Sequence, residues 1–259
     1  MAMDVIDYHI FGDDIQFVEI ELDPDEAVVG EAGAMFYMED DIQMDTIFGD
    51  GSAGQSGLLG KLMGAGKRLV TGESLFTTVF MNGGKLKRKL AFGAAYPGKI
   101  IPVHLSEVGG TLLCQKDAFL CAAKGVSLGI AFQKRLGAGF FGGEGFILQK
   151  LEGDGLVFIH AGGAIIEKTL QAGQTLRVDT GCIVAFEKKV DFDVKFVGGI
   201  RTALFGGEGL FFTTLTGPGK IWLQSLPLAR LANRIVGAAK LSGGQGGEQT
   251  SRFNATENT

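Results

Sequence analysis

The stretch EGFILQKLEGDG, residues 144–155, is one of three segments of equal length that recur along the chain. The other two are ESLFTTVFMNGG, residues 73–84, and EGLFFTTLTGPG, residues 208–219. Each begins at a glutamate, continues as a run of apolar, β-branched and aromatic residues, and ends at a glycine in a turn. A second run follows every turn, so the pattern predicts a β-hairpin in each copy.

A second set of positions repeats upstream of the glutamates. The set is Leu22, Val28, Gly33 and Met35 in the first copy, Leu105, Leu112, Asp117 and Phe119 in the second, with one extra residue, and Leu170, Leu176, Gly181 and Ile183 in the third. Strand patterns of period 2 follow, as in residues 190–196. The chain therefore divides into three units, over residues 10–92, 98–162 and 163–226.

A unit of three or four strands buries only one face by itself, so the three units must complete their core together. The sequence predicts an all-β, internally repeated, pseudo-threefold body of the β-sandwich or double-stranded β-helix type. We expect one domain over residues 1–241, with a short helix over 226–237 that docks its apolar face on the sheets. The polar tail, 242–259, is expected to be disordered, and the first unit carries a glycine-dense insertion over 48–70.

The composition disfavours several classes of function. Glycine contributes 42 of 259 residues without a collagen period, which fits a protein with many tight turns and bulges. A net charge of −5 disfavours broad nucleic-acid binding, because that binding depends on Lys and Arg at the phosphates. The acidic start lacks the features of a secretory signal, and no uncharged apolar run approaches the roughly 20 residues of a membrane span. We therefore expect a cytoplasmic protein.

Motifs for catalysis or metal binding do not emerge from the sequence. Lys61 and Arg68 occupy the positions at which a phosphate-binding loop needs a glycine and a hydroxyl residue. The histidines and cysteines lack metal-ligand or catalytic spacing and are interpreted as structural or solvated side chains and plain thiols: His9, His104, His160, Cys114, Cys121 and Cys182. We predict a protein that is not an enzyme and has no catalytic residue, cofactor or metal ion.

A basic run, Lys85-Leu86-Lys87-Arg88-Lys89, replaces the apolar return segments of the other two copies. Lysine on an exposed edge strand prevents pairing between sheets of different molecules, and this is the favoured interpretation. An anionic partner is the alternative.

Three loops, one before each glutamate, combine glycine with apolar residues. These residues are Leu62, Met63, Phe140, Phe141, Leu204 and Phe205. In a pseudo-threefold body the loops share one face, and an exposed apolar face of that size normally meets a partner. The sequence predicts an interaction or scaffold protein that forms homo-oligomers through this face or contacts a membrane surface with it. The alternative, that these side chains fold under and cap the core, stays open.

The glutamates Glu73, Glu144 and Glu208 define a second hypothesis. Threefold symmetry would place their carboxylates around one axis, where they could bind a cation or a small molecule. The simpler interpretation is that each carboxylate is solvated or accepts hydrogen bonds from turn amides. RNA binding is a third hypothesis, and the sequence disfavours it because the acidic chain shows no repeated basic and aromatic spacing.

Three motifs carry a resemblance to a known family: GAGFFGGEGFILQKLEGDG, TALFGGEGLFFTTLTGPGKIWLQSLPLARLA and SLFTTVFMN. They resemble the bacterial branch of the family named in yeast for altered inheritance of mitochondria, over residues 10–236. The resemblance implies a TRAP-like fold, after the tryptophan RNA-binding attenuation protein, and no established biochemical activity. The mitochondrial role is not carried over, because the chain shows no Arg-rich transit segment. Fold analogy does not transfer RNA binding either.

Overall fold

The computed structural model describes residues 6–47, 77–94, 96–134, 145–196 and 211–243, which form nineteen β-strands and one α-helix. The first part contains β1 (Asp7–Phe11), β2 (Phe17–Leu22), β3 (Ala27–Glu31), β4 (Met35–Met38), β5 (Ile42–Ile47), β6 (Thr77–Asn82) and β7 (Arg88–Gly93). The second contains β8 (Gly98–His104), β9 (Thr111–Gln115), β10 (Phe119–Ala123), β11 (Ser127–Lys134), β12 (Phe146–Glu152) and β13 (Leu156–Gly162). The third contains β14 (Ile165–Leu170), β15 (Thr175–Asp179), β16 (Ile183–Glu187), β17 (Asp191–Phe196), β18 (Phe211–Thr216), β19 (Gly219–Gln224) and the helix α1 (Leu228–Gly243).

The described strands form four antiparallel sheets, numbered here in the order in which they pack. Sheet one has the strand order β1-β2-β7-β4, and sheet two has the order β5-β6-β3-β10-β13-β8. Sheet three has the order β11-β12-β9-β16-β19-β14, and sheet four has the order β15-β18-β17. The all-β class with a short C-terminal helix, predicted from the sequence, is confirmed.

The same pairing scheme occurs three times, in β2–β7, β8–β13 and β14–β19. In each set of six strands the first and third flank the sixth, and the second and fourth flank the fifth. Each set therefore contributes three strands to one sheet and three strands to the next. Sheets two and three have six strands because each joins three strands of one set to three strands of the following set.

The hairpin interpretation of the glutamate segments is wrong. The turns at Asn82-Gly83, Asp154-Gly155 and Pro218-Gly219 do reverse the chain, but the strands on either side of each turn lie in different sheets. The reason is burial: β13, for example, is buried at all seven positions. A strand that is apolar on both faces needs covering layers on both sides, and a turn signal fixes the reversal without fixing the partner strand.

The core consists of three apolar layers between the stacked sheets. One lies between sheets one and two and includes Val18, Ile20, Phe80 and Phe158. The central layer lies between sheets two and three, where Val29, Ile159, Leu112 and Trp222 are buried. The third lies between sheets three and four and includes Phe146, Phe186, Val178 and Leu215. Sheets one and four are thus the two outer layers of the stack.

The helix α1 begins directly after Pro227, whose carbonyl oxygen accepts hydrogen bonds from the backbone N–H groups of Arg230 and Leu231. Arg230 anchors its first turn by donating to the carboxylate of Asp179, at the end of β15, over 2.9 Å. The apolar face does not dock as predicted, since Ile235 and Val236 are exposed. The predicted disordered tail lies, beyond residue 243, outside the described residues.

Candidate functional site

The candidate residues selected from the sequence fall outside the part of the chain that the structure describes. This holds for the apolar loop residues Leu62, Met63, Phe140, Phe141, Leu204 and Phe205, and for Glu73, Glu144 and Glu208. The insertion over 48–70 lies there too. In the described part of the chain, no three His, Cys, Asp or Glu side chains gather as a metal ion would require. Over the same residues, no helix combines the length and the apolar character needed to cross a membrane.

The outer face of sheet one carries an exposed aromatic cluster that the sequence reasoning missed. The Phe11 and Phe17 rings stack with centroids 4.9 Å apart, and the Phe36 ring lies 5.2 Å from that of Phe17. Tyr37 and His9 extend the cluster at either end, at 5.6 Å from Phe36 and 4.4 Å from Phe11. Phe36 is 63% exposed, and Phe11 and Tyr37 are also exposed. We call these five residues the aromatic face.

A polar network fixes one end of the aromatic face. Tyr37 and Glu19 lie on either side of Ala91 in the register of the sheet, and the small Ala91 side chain leaves room for the Tyr37 hydroxyl to donate to the Glu19 carboxylate. Lys89 pairs with the other oxygen of Glu19 over 2.8 Å. The hydrogen bonds from Lys89 and Tyr37 lower the pKa of Glu19, and the bond to Glu19 raises the pKa of Tyr37 to about 12. The ring of Tyr37 is therefore held in place.

The basic run does not lie on an edge strand, so the favoured interpretation of it is wrong. Its last two residues begin β7, which pairs with β2 on one side and β4 on the other. The ion pairs are Lys87 with Asp7, Glu21 and Asp23, Arg88 with Asp41, and Lys89 with Glu19. The hydrogen bond to Glu21 raises the pKa of Lys87. These cations are matched by carboxylates on neighbouring strands and loops, which leaves little positive charge for an anionic partner.

Strand β4, one of the two edge strands of sheet one, adjoins the aromatic face. The bulge on β4 between Met35 and Tyr37 matches the bulges on β10 and β16, which makes Phe36 equivalent to Leu120 and Val184. Leu120 is 2% exposed and Val184 is 0% exposed, against 63% for Phe36. The next two positions, Tyr37 and Met38, are exposed, whereas their equivalents are buried. Strand β4 therefore exposes to solvent side chains whose equivalents in the other two copies are buried.

Two other kinds of polar side chain inside the stack have structural rather than ligand-binding surroundings. His160, on β13, is 1% exposed, and its ring packs edge-on against Tyr96 at 4.6 Å. Burial lowers the pKa of His160 to about 4, so the ring is neutral near pH 7. Cys114 and Cys121 are buried free thiols, and burial raises the pKa of both. These findings agree with the interpretation of these histidine and cysteine residues as structural.

The aromatic face could have been found from the sequence by comparing equivalent strands. The segment MFYM in β4 corresponds to the start of FLCAA in β10 and of IVAFE in β16. Large aromatic residues at two of these positions, where the other copies have Leu-Cys and Val-Ala, indicate a different environment. The sequence alone could not show that the environment is solvent rather than a wider interior, because that depends on what covers the sheet.

These features define a tandem-repeat all-β protein, built as a stack of sheets with an exposed aromatic face beside the edge strand β4. The chain belongs to the family described as Mitochondrial biogenesis AIM24, whose model matches residues 8–226. A curated relative from Streptococcus pyogenes serotype M6, described as an uncharacterized protein, is 32% identical over 221 residues, covering 84% of each chain. The crystal structure of a Streptococcus pyogenes protein matches with a TM-score of 0.69 at 26% identity, over 90% of this chain and 99% of that one. None of these descriptions names a ligand, a substrate or a reaction.

Proposed function

We propose that the protein is a non-enzymatic interaction and scaffold protein that assembles with copies of itself through the exposed surface of sheet one. The observation that carries the proposal is the exposure of Phe36, Tyr37 and Met38 at an edge strand, where the other two copies of the repeat bury the same positions. An unpaired strand edge beside exposed aromatic rings is a template for association. Soluble proteins normally protect such an edge with lysine, proline or a covering segment, and β4 has neither residue type.

The cytoplasmic location expected from the sequence belongs to the same proposal. The cation-binding and RNA-binding alternatives gain no support from the described residues. The glutamates on which the first depends lie outside them, and the ion-paired basic run weakens the second.

Sedimentation velocity over a range of protein concentrations tests the proposal. We expect the wild type to sediment above the 27.3 kDa of one chain, and Phe36→Asp to shift the distribution toward that mass. Leu86→Asp is the matched control, because Leu86 is 67% exposed but lies in the turn between β6 and β7, outside the pairing of β4 with β7. A wild type that stays monomeric at every concentration contradicts self-assembly. Co-sedimentation with lipid vesicles that is lost in Phe36→Asp would make a membrane surface the partner instead.

A further inference from the structure

The three sets of strands leave two complementary edges in the molecule. Inside the chain, the third strand of one set pairs with the second strand of the preceding set: β10 pairs with β3, and β16 pairs with β9. The same rule would pair β4, the third strand of the first set, with β15, the second strand of the last set. Among the described strands, β4 pairs only with β7 and β15 pairs only with β18. Strand β4 thus lacks a partner equivalent to β15, and β15 lacks a partner equivalent to β4.

The two edges of one molecule lie at opposite ends of the stack. Sheet one, which contains β4, packs on sheet two, and sheet four, which contains β15, packs on sheet three. Stacked sheets are about 10 Å apart, so two complete sheets between them separate sheets one and four by roughly 30 Å. A hydrogen-bonded pair of strands is about 5 Å apart. The β15 edge that fits β4 therefore comes from another molecule.

We propose that the protein assembles head to tail by pairing β4 of one copy with β15 of a second copy, in the register used at the two internal junctions. The inference rests on the proposed self-assembly and names the segments that meet. The pairing joins the four strands of sheet one to the three strands of the second copy's sheet four. Because the two surfaces differ, the interface is heterologous, and repeated addition gives a closed ring or an open filament.

The internal junctions fix the register residue by residue. At the first junction Cys121 faces Gly30, and at the second Ala185 faces Cys114. The bulge makes Tyr37 equivalent to Cys121 and Ala185. The repeat spacing that matches Val28, Leu112 and Leu176 makes Val178 equivalent to Gly30 and Cys114.

Tyr37 therefore faces Val178 of the second copy, and by the same rule Met38 faces Arg177 and Glu39 faces Leu176. The register places Arg177 directly opposite the uncharged Met38, an arrangement without like-charge contact.

Met44, which lies outside β4, is exposed to solvent as this assembly predicts. Met44, on β5, is equivalent to Leu128, since both are directly opposite buried core residues, Phe80 and Leu151. Leu128 is 2% exposed because sheet two covers it, and Met44 is 54% exposed. The layer that would cover Met44 by the same rule is sheet four of the neighbouring copy. The exposure of Met44 thus agrees with the exposure of β4.

Disulfide cross-linking tests the register. Residues directly opposite on antiparallel strands have Cα atoms about 4.5–5.5 Å apart, within the range of a disulfide. The double variant Tyr37→Cys, Val178→Cys should form a ladder of covalent oligomers under mild oxidation, and reductant should remove it. The matched control Tyr37→Cys, Arg177→Cys puts the second thiol on the opposite face of the sheet and should form no ladder. Either single variant controls for the native thiols.

Charge placement gives a second measurement that does not depend on thiols. Met38→Glu and Met38→Lys make the same edge position polar, but only the lysine faces Arg177 as a like charge. We expect the midpoint concentration of dissociation to be about three- to tenfold higher for Met38→Lys. Adding Arg177→Glu should invert the order of the two variants. Native-like Trp222 fluorescence in every variant checks that the chain is folded.

The outcomes separate this inference from the proposed function. A strictly monomeric wild type refutes both. If the wild type is an oligomer but the Tyr37→Cys, Val178→Cys variant forms no ladder, the β4–β15 register is refuted and self-assembly stands. The same conclusion follows if the Arg177→Cys control cross-links equally well. An oligomer in which Met38→Glu and Met38→Lys dissociate alike refutes the register too.

Discussion

Lowering the pH should destabilise this protein through one buried side chain, His160. The imidazole lies between sheets one and two, and no protein group described in the structure accepts or donates a hydrogen bond at either ring nitrogen. Its neighbours are the Tyr96 ring and the backbone of Gly98. Protonation would place a charge in this apolar layer without a compensating partner.

The size of the effect follows from the difference between the folded and unfolded pKa values. Burial lowers the pKa of His160 from 6.5 to about 4, so the unfolded chain binds the proton more tightly than the folded chain. The stability that neutral His160 permits is complete above pH 6.5 and is lost as the pH falls toward 4. Between pH 7 and pH 4.5 the free energy of unfolding should decrease by about 2.5 kcal/mol from this residue alone.

Urea unfolding followed by the fluorescence of Trp222, the single and buried tryptophan, measures this loss at a fixed protein concentration. His160→Leu removes the titrating group, so the difference in unfolding free energy between wild type and variant should change by that amount between the two pH values. His104→Leu, at an exposed position, is the matched control and should keep the wild-type slope. If the unfolding free energies of the wild type and of His160→Leu change in parallel over this pH range, the reasoning is refuted.

Three further predictions concern the packing and the polar network. Gly98→Ala would place a methyl group against the carbonyl oxygen of Ala161, closer than van der Waals contact allows. We therefore expect the free energy of unfolding in urea to decrease by about 1–3 kcal/mol. An unchanged unfolding midpoint would contradict the close approach. Phe158→Ala removes a fully buried ring between sheets one and two and should cost about 3–5 kcal/mol, whereas Phe212→Ala, on an exposed ring, should cost far less. Glu19→Gln removes the carboxylate that accepts a hydrogen bond from the Tyr37 hydroxyl, so the pKa of Tyr37 should fall from about 12 toward its ordinary value of 10. An ultraviolet titration measures this change, with Glu107→Gln as the control. An unchanged titration would show that the hydrogen bond does not form in solution.

Part of the fold was predictable because it depends on local chemistry. The period-2 pattern around residues 190–196 predicted a strand, and β17 occupies Asp191–Phe196. The turns at Asn82-Gly83 and Asp154-Gly155 were also predictable, since they require residues that reverse the chain. The pairing of the flanking strands was not predictable, because a strand such as β13, which is buried on both faces, gives no signal for one neighbouring strand over another.

The candidate site was less predictable. The sequence directed attention to glycine-rich loops, whereas the described structure exposes Phe36, Tyr37 and Met38 on a regular strand. The basic run was misinterpreted for a related reason: Lys87 and Lys89 look like protective edge charges until the carboxylates of Glu21 and Glu19 are found beside them. Exposure and charge compensation both depend on residues that are distant in sequence.

The sequence by itself determined the strands, the reversals between them and the threefold repetition, because hydrophobic periodicity and turn chemistry act over a few residues. Only the tertiary structure decided which strands share a sheet, and that the three copies stack in a row with unlike outer edges. A repeated segment has the same local preferences in every copy, but its neighbours differ at the two ends of the stack. The same strand position is therefore buried at β10 and β16 and exposed at β4.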